Sequence, residues 1–469
     1  MAWHPATRLE ISGHRFLRRR LECALLGIDL RAVTESIRAP AQSLTVGFVL
    51  AVLVLAGCLV LALLRPQSRA ATAPIVMERQ SGALYVRLGD TLHPVLNLAS
   101  ARLIMKTSAD PEPIAASAFG SDKLGPLLGI PGAPQFLGKP LEESQSQWTV
   151  CDNAERTTVI VGSETQSDVL RRDQALLVTP TTGGATYLLF DGRRAVVNPD
   201  DAAVARALGL DGQTPVPVSA SLLNLIPETP PITVPRIPDI GKRGPDSLPG
   251  FPVGSVLRVA RSSGDEYYVV LTDGVQRVGQ LAAELIRFSD SQGSRTAVSV
   301  APDVIRATKS VTRVPVSDFP DRALPQSVAA GTTVCVRWAH AASGNATVSF
   351  SLGGLPIPGG QAPVALAQAD GKGPAIDAVY LPPGRMAYVR STSLSGGDAR
   401  AGTRYLISDT GVRFGVHDDD AAKDLGLPAT IVAAPWPILA KLPAGPDLSR
   451  ANASVAQDVP LIARPIGAS

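Results

Sequence analysis

Residues 44–64 of this 469-residue chain form an unbroken apolar run, LTVGFVLAVLVLAGCLVLALL, with no charge in it. At about 1.5 Å of rise per helical residue, a run of this length spans the roughly 30 Å hydrocarbon core of a bilayer. A core helix of a soluble domain would carry a polar stripe every three or four positions, and this run has none. Arg38 and Arg65 bracket it, and no second run of comparable length occurs. The expectation is therefore a single membrane span that leaves residues 1–43 on one side and 65–469 on the other.

Arg8, Arg15, Arg18, Arg19, Arg20, Arg31 and Arg38 precede the span, against Arg65 and Arg69 just after it. By the positive-inside rule the N-terminal segment is expected in the cytosol and the C-terminal part outside. A cleaved signal peptide fits poorly, because both the basic region and the apolar core are too long. Leu55-Ala56-Gly57-Cys58 has the form of a lipoprotein cleavage box, but six apolar residues follow Cys58, which puts the box inside the span. The span reads as an uncleaved anchor.

This orientation organises the four cysteines. Cys23 falls in the cytosol and Cys58 in the membrane, so Cys151 and Cys335 alone meet an oxidising compartment. A Cys151–Cys335 disulfide is expected, with two free buried thiols as the alternative. From Arg15 to Ile37, Leu17, Leu21, Leu25 and Ile28 recur at helical spacing among arginines. That pattern makes one or two amphipathic helices, lying on the membrane surface or against a partner.

The roughly 400 residues beyond the span suffice for two or three domains, or for an array of small ones. Gly 42, Pro 40 and only 4% aromatic residues favour short strands, turns and stiff connectors. With a net charge of +3 and no basic run outside the N-terminal segment, nucleic acid is not indicated.

Compared with itself, the C-terminal part repeats. Residues 187–210, YLLFDGRRAVVNPDDAAVARALGL, align with 405–427, YLISDTGVRFGVHDDDAAKDLGL. Each copy parses as a strand, a tight Asp/Gly turn, a second strand, and a short helix. Asp200/Asp201 and Asp419/Asp420 are expected to cap the helices, and Gly209 and Gly426 to end them. Weaker copies begin at Leu84 and Tyr268. Four β-hairpin-plus-helix repeats are thus expected, near 78–123, 181–227, 253–288 and 400–444. Units this small need a neighbour to bury their cores. A mainly β central domain is assigned to about 125–180 and 289–399. The eight prolines of 227–252 suggest a stiff linker. The fold class is a membrane-anchored α+β protein: a cytosolic amphipathic helix, one transmembrane helix, and an elongated exported domain.

Catalytic signatures are missing. The five histidines (His4, His14, His93, His340, His417) form no HExxH, and there is no GxSxG or CxxC. A phosphate-binding loop needs GxxxxGK followed by Ser or Thr. Gly397–Arg404 lacks the lysine, and Gly371-Lys372-Gly373 lacks the rest, so both read as turns. The triplet Asp418-Asp419-Asp420 beside His417 invites a metal site, but helix capping explains its position in the repeat. No catalytic, cofactor-binding or metal residues are assigned.

In combination these features resemble the EccB family of type VII (ESX) secretion systems. The matching segments are Ser12–Glu22, the span ending Ala62-Leu63-Leu64-Arg65-Pro66, Gly82–Ile104 and especially its part His93–Ile104, Trp148–Asp152, Val334-Cys335-Val336, Asp409–Phe414 and Leu442–Ser449. The resemblance covers nearly the whole chain. It implies a structural subunit of the inner-membrane secretion complex, acting with EccC, EccD, EccE and the mycosin protease and self-associating in the complex. The N-terminus is then cytosolic and the large domain periplasmic. Cys151 and Cys335 match the family's disulfide. Members are also described as ATPases, and their repeats are similar to cell-wall-binding modules. An atypical nucleotide hydrolase and a cell-wall-binding anchor, with a peptidoglycan contact, are the alternative readings.

Overall fold

The computed structural model describes residues 8–27, 30–64 and 73–458, apart from 116–118, 120–122, 154, 164, 166–167, 295, 330, 341–343, 372 and 398–401. The chain divides into two units, Met1–Ala73 and Pro74–Ser469.

In the first unit, helix Arg8–Leu25 carries Leu17, Leu21 and Leu25, and Ile28 lies outside the described residues. A second helix runs without interruption from Leu30 to Leu64. Within it, Ser43–Leu61 is long and apolar enough to cross a membrane, and none of that stretch is buried. The boundary drawn at residue 43 is therefore chemical and not structural: one continuous helix contains both the polar stretch and the apolar run. Backbone hydrogen bonding satisfies both environments, while side-chain polarity alone changes.

In the second unit the same order of elements occurs four times. The first copy has strand Ile75–Glu78, hairpin Leu84–Leu88 and Thr91–Val95, helix Leu98–Met105, and a return strand Glu112–Ile114. The leading strand pairs antiparallel with the hairpin and parallel with the return strand. The second copy has Gln174–Pro180, Thr186–Phe190, Arg193–Val197, helix Ala202–Leu208 and Val216–Val218. The third has Val256–Val259, Glu266–Leu271, Gly274–Val278, helix Gln280–Ser289 and Val298–Ser299. The fourth has Arg385–Thr392, Arg404–Ile407, Arg413–Gly415, helix Asp419–Asp424 and Val432–Pro435. Each is thus a β-β-β-α-β module, larger than a hairpin plus helix.

Two leading strands, Gln174–Pro180 and Arg385–Thr392, fall in stretches that the composition assigned to the central domain. Both run through consecutive buried residues, so neither shows the period-two pattern of a one-sided strand. In each module a later segment also pairs parallel with the second hairpin strand and covers its exposed edge. These segments are Lys123–Leu128, Glu228–Ile232, Ser310, and Ala444 with Leu448. Covering an edge removes a row of unpaired backbone groups that would otherwise template aggregation. The proline-rich segment 227–252 therefore does more than connect. Its start completes the second module's sheet, while Ile237 and Leu248 are buried with the third.

The caps follow the chemistry but shift in position. Asp201 accepts from the N–H groups of Ala203 and Val204, whereas Asp418, not Asp419 or Asp420, accepts from Ala421. Asn97 plays this role in the first module, and Gly279 offers no side chain in the third. The turn Asp191–Gly192 has φ of 39° and 71°. A Cβ on Gly192 would come within 2.4 Å of the Val348 carbonyl oxygen, so this hairpin tip needs glycine for conformation and for space.

A seven-stranded central sheet has the order 168–169, 346–353, 333–340, 148–152, 157–161, 378–380, 364–365. One face carries Trp148, Val150, Val159, Val161, Val334, Val336 and Trp338. It packs against Leu176, Val178 and Leu189 of the second module and Ala387, Val389 and Ile407 of the fourth. The outer faces of those two modules are then covered by partners. Leu281 and Leu285 of the third module's helix join the second module's core, and Ala99 and Leu103 of the first module's helix join the fourth's. Modules two and three, neighbours in sequence, pair helix to helix, and so do modules one and four, at opposite ends of the unit.

Thermal or chemical unfolding checks the caps: Asp201→Ala is expected to cost about 1 kcal/mol of stability, whereas Asp200→Ala, one residue outside the cap, changes it little.

Candidate functional site

The chemistry that sequence reasoning singled out converges on the central sheet. Strands Trp148–Asp152 and Thr333–His340 lie side by side with Trp148 opposite Trp338 and Cys151 opposite Cys335. Cys151 and Cys335 form a disulfide across a Cα–Cα distance of 4.1 Å, as the cysteine distribution suggested. Side-chain alternation puts the tryptophans on the face toward the modules and the sulfurs on the other, with Ile160, Tyr380, Leu355 and Ile357 around them. Both cysteines are 1% exposed. The bridge spans 184 residues and encloses modules two and three, leaving modules one and four outside the closed loop. Cys23 and Cys58 are free.

Next to the bridge lie two buried carboxylates. Asp377 accepts from the backbone N–H groups of Thr157 (2.7 Å), Asp370 (2.8 Å) and Gly371 (2.7 Å). The glycine turn at Gly371 is thus a small anion-binding loop whose anion is the protein's own carboxylate. Asp152 accepts one backbone bond, from Ser219 at 2.6 Å, and its Oδ1 has no partner. Burial pushes the Asp152 carboxyl above its ordinary range, against the lowering by its bond from Ser219, and nearby Asp377 adds to the rise. Asp152 ties the central sheet to the start of helix Ala220–Leu223 through Ser219, which caps that helix.

The joint between modules one and four has its own polar contacts. Arg102, on the first module's helix, is 9% exposed, and donates to the Leu425 carbonyl at 2.9 Å and to Asp110 at 2.8 Å. Arg450 grips the buried Asp424 through Nε (2.6 Å) and Nη2 (3.1 Å) and reaches Asp420 through Nη1. Sequence reasoning missed both arginines, because the Leu425 carbonyl that Arg102 reaches and the Asp424 that Arg450 grips are brought to them only by the fold.

The remaining candidates separate. Asp418 caps its helix, Asp419 pairs with Arg404 and Asp420 with Arg450, so the triplet diverges. His93 Nδ1 bonds the Pro126 carbonyl, His340 stacks on Trp338, and His14 is exposed on the first helix. His4, Lys372 and residues 398–401 of the Gly397–Arg404 stretch lie outside the described residues. Among the described residues, no group of three or more His, Cys, Asp or Glu side chains gathers as a metal site. The arrangement holds modules together through Asp152, Arg102 and Arg450.

A family model described as "Type VII secretion system ESX-1, transport TM domain B" matches residues 3–461. The chain belongs to the EccB family. Among its relatives, the ESX-3 secretion system ATPase EccB3 of Mycolicibacterium smegmatis is 35% identical over 477 residues, covering 96% of this chain and 91% of the relative. The ESX-2 secretion system ATPase EccB2 of Mycobacterium tuberculosis is 36% identical over 481 residues, covering 97% and 95%. A chain of the intact ESX-5 inner membrane complex superposes with a TM-score of 0.72 at 32% identity, covering 100% of this chain and 99% of that one. The EccB3 dimer from the ESX-3 core complex gives 0.70 at 32% identity, covering 82% and 100%. As an EccB protein the chain is a membrane-anchored α+β subunit of a secretion machine, and its disulfide-bonded sheet is the frame of the large unit.

Two outcomes follow from the buried centre. Cys151→Ser with Cys335→Ser is expected to lower the stability of the large unit by about 2–5 kcal/mol, read from denaturant unfolding with and without reductant. Because the folded state prefers protonated Asp152, stability falls as pH rises above the ordinary aspartate range and through the raised value. Asp152→Asn is expected to flatten that slope in unfolding curves taken from pH 3 to 8.

Proposed function

We propose that this chain is a structural subunit of the type VII inner-membrane complex, whose exported modules scaffold the periplasmic side of the secretion channel. The observation that carries the reading is the pairing of one apolar helix with a large unit whose buried Asp377, Asp424 and Arg102 bond to other groups of the chain. In this reading the N-terminus is cytosolic, residues 65–469 are periplasmic, and the four modules and the central sheet are the domains of the exported part. The partners are EccC, EccD and EccE, the mycosin protease and further copies of the chain.

The N-terminal unit favours a protein partner over a lipid surface. Residues 30–43 lengthen the spanning helix by roughly 20 Å beyond the apolar run. Headgroups account for only about 5–8 Å on each side of the hydrocarbon. In this reading the start of the second helix, and with it the connection to helix Arg8–Leu25, stands beyond the headgroups. Leu17, Leu21 and Leu25 on that helix are 55%, 64% and 84% exposed, an apolar stripe that a helical groove in a partner would cover. The nucleotide-hydrolase reading, which the names of relatives invite, has no lysine-bearing phosphate loop in the sequence to support it.

A membrane-impermeant maleimide applied to intact cells tests the topology: Ser263→Cys is expected to label and native Cys23 to stay unlabelled. The reverse pattern would overturn the orientation. Deleting residues 74–458 is expected to stop secretion while ATP hydrolysis by the purified complex persists. Loss of hydrolysis with that deletion would favour the enzyme reading.

A further inference from the structure

The two module pairs are closed in different ways. Modules two and three are adjacent in sequence, and the Cys151–Cys335 bridge seals the loop that contains them. Modules one and four lie outside that loop, and their joint is made without a covalent link. Its apolar part joins Ala99 and Leu103 of the first module to Ala421, Ala422 and Leu425 of the fourth.

The segment after the fourth module completes the first. Ser449 caps helix Arg450–Ala453, which packs on the first module's helix Leu98–Met105 and buries Ala453 fully. Arg450 satisfies the buried Asp424, which is 3% exposed and would otherwise be an unpaired carboxylate in the joint. Strand Ala456–Gln457 then pairs antiparallel with Leu127–Leu128, the segment that covers the first module's hairpin edge. Gly129 N–H donates to the Val455 carbonyl at 3.3 Å, and Gln457 donates back to the Gly129 carbonyl at 3.3 Å. The first module's own core is small, with Ile75, Val86, Val95 and Ala101 as its buried members. A core of this size stabilises a module only marginally by itself.

We propose that residues 449–457 act as a clasp that closes the first module. The module that follows the membrane span then reaches its finished fold only when a segment more than 300 residues downstream has docked on it. Until then the helix Leu98–Met105 has an uncovered apolar face and strand Leu127–Leu128 an unpaired edge. The docked segment thereby reports that the fourth module is folded, because Asp424 and Leu425 belong to that module. The closure does not depend on the membrane topology proposed above. Its timing relative to export does, and the orientation labelling addresses that separately.

Thiol labelling of the purified full chain tests the clasp. Ala101→Cys reports the first module's core and Ala195→Cys the second's, each at a fully buried position. Ending the chain after Leu448 keeps the fourth module's edge pairing and removes the clasp. The expected result is that labelling of Ala101→Cys rises by roughly 5–30-fold, the effect of losing one or two kcal/mol, while Ala195→Cys stays protected. Unchanged protection of Ala101→Cys would overturn the proposal, since the first module would then close by itself. Equal exposure of both reporters would also overturn it, since the segment would then support the whole unit. If the shortened chain does not accumulate, Arg450→Ala in the full chain decides the matter with the same two reporters and the same expected contrast.

Discussion

The structure depends on one sheet face. A β-β-β-α-β module has a sheet with two sides and only one short helix to cover them, so each module leaves apolar surface open. The central sheet supplies the missing cover for modules two and four through Trp148, Val150, Val334, Val336 and Trp338, all at most 1% exposed. Complete burial of such side chains contributes on the order of 1.5–3 kcal/mol each, and this is where the large unit gains its cohesion. Among the described residues, modules one and three contribute no side chain to the central sheet's core. They are held through the helices of modules four and two. The order of dependence therefore runs from the sheet outward, and the outermost modules are the least self-sufficient.

Much of this was legible in the sequence, for identifiable reasons. The candidate span shows because 44–64 carries neither a charge nor a polar stripe. The hairpins show because Asp191–Gly192 and Asp409-Thr410-Gly411 carry turn chemistry, and the helices because aspartates precede them, although the fourth module's cap is Asp418 and not the expected Asp419 or Asp420. The disulfide is expected because the positive-inside reading puts Cys151 and Cys335 alone in an oxidising compartment. What stayed hidden lacks a local signal. The leading strands Gln174–Pro180 and Arg385–Thr392 are buried on both faces and show no alternation. The edge-covering segments, such as Glu228–Ile232, are short and proline-containing, and read as linker. Arg102 and Arg450 look like any surface arginine until the fold brings modules one and four together.

The same features bear on function. Three buried charged groups of the large unit bond within the chain: Asp377 to three backbone N–H groups, Asp424 to Arg450, and Arg102 to the end of a helix in another module. Groups committed in this way order a frame. Membership of the EccB family gives the frame its setting in type VII secretion, as a subunit of an inner-membrane complex.

The central claim is that this chain works as a built-in part of a larger membrane complex. Mild-detergent extraction, purification through a tag at its C-terminus and mass-spectrometric identification of what accompanies it test that claim most directly. The account predicts a single large species containing EccC, EccD and EccE together with this chain, dissociated by Leu17→Glu with Leu21→Glu in the first helix. Recovery of the chain free of other secretion subunits, with or without those substitutions, would contradict it.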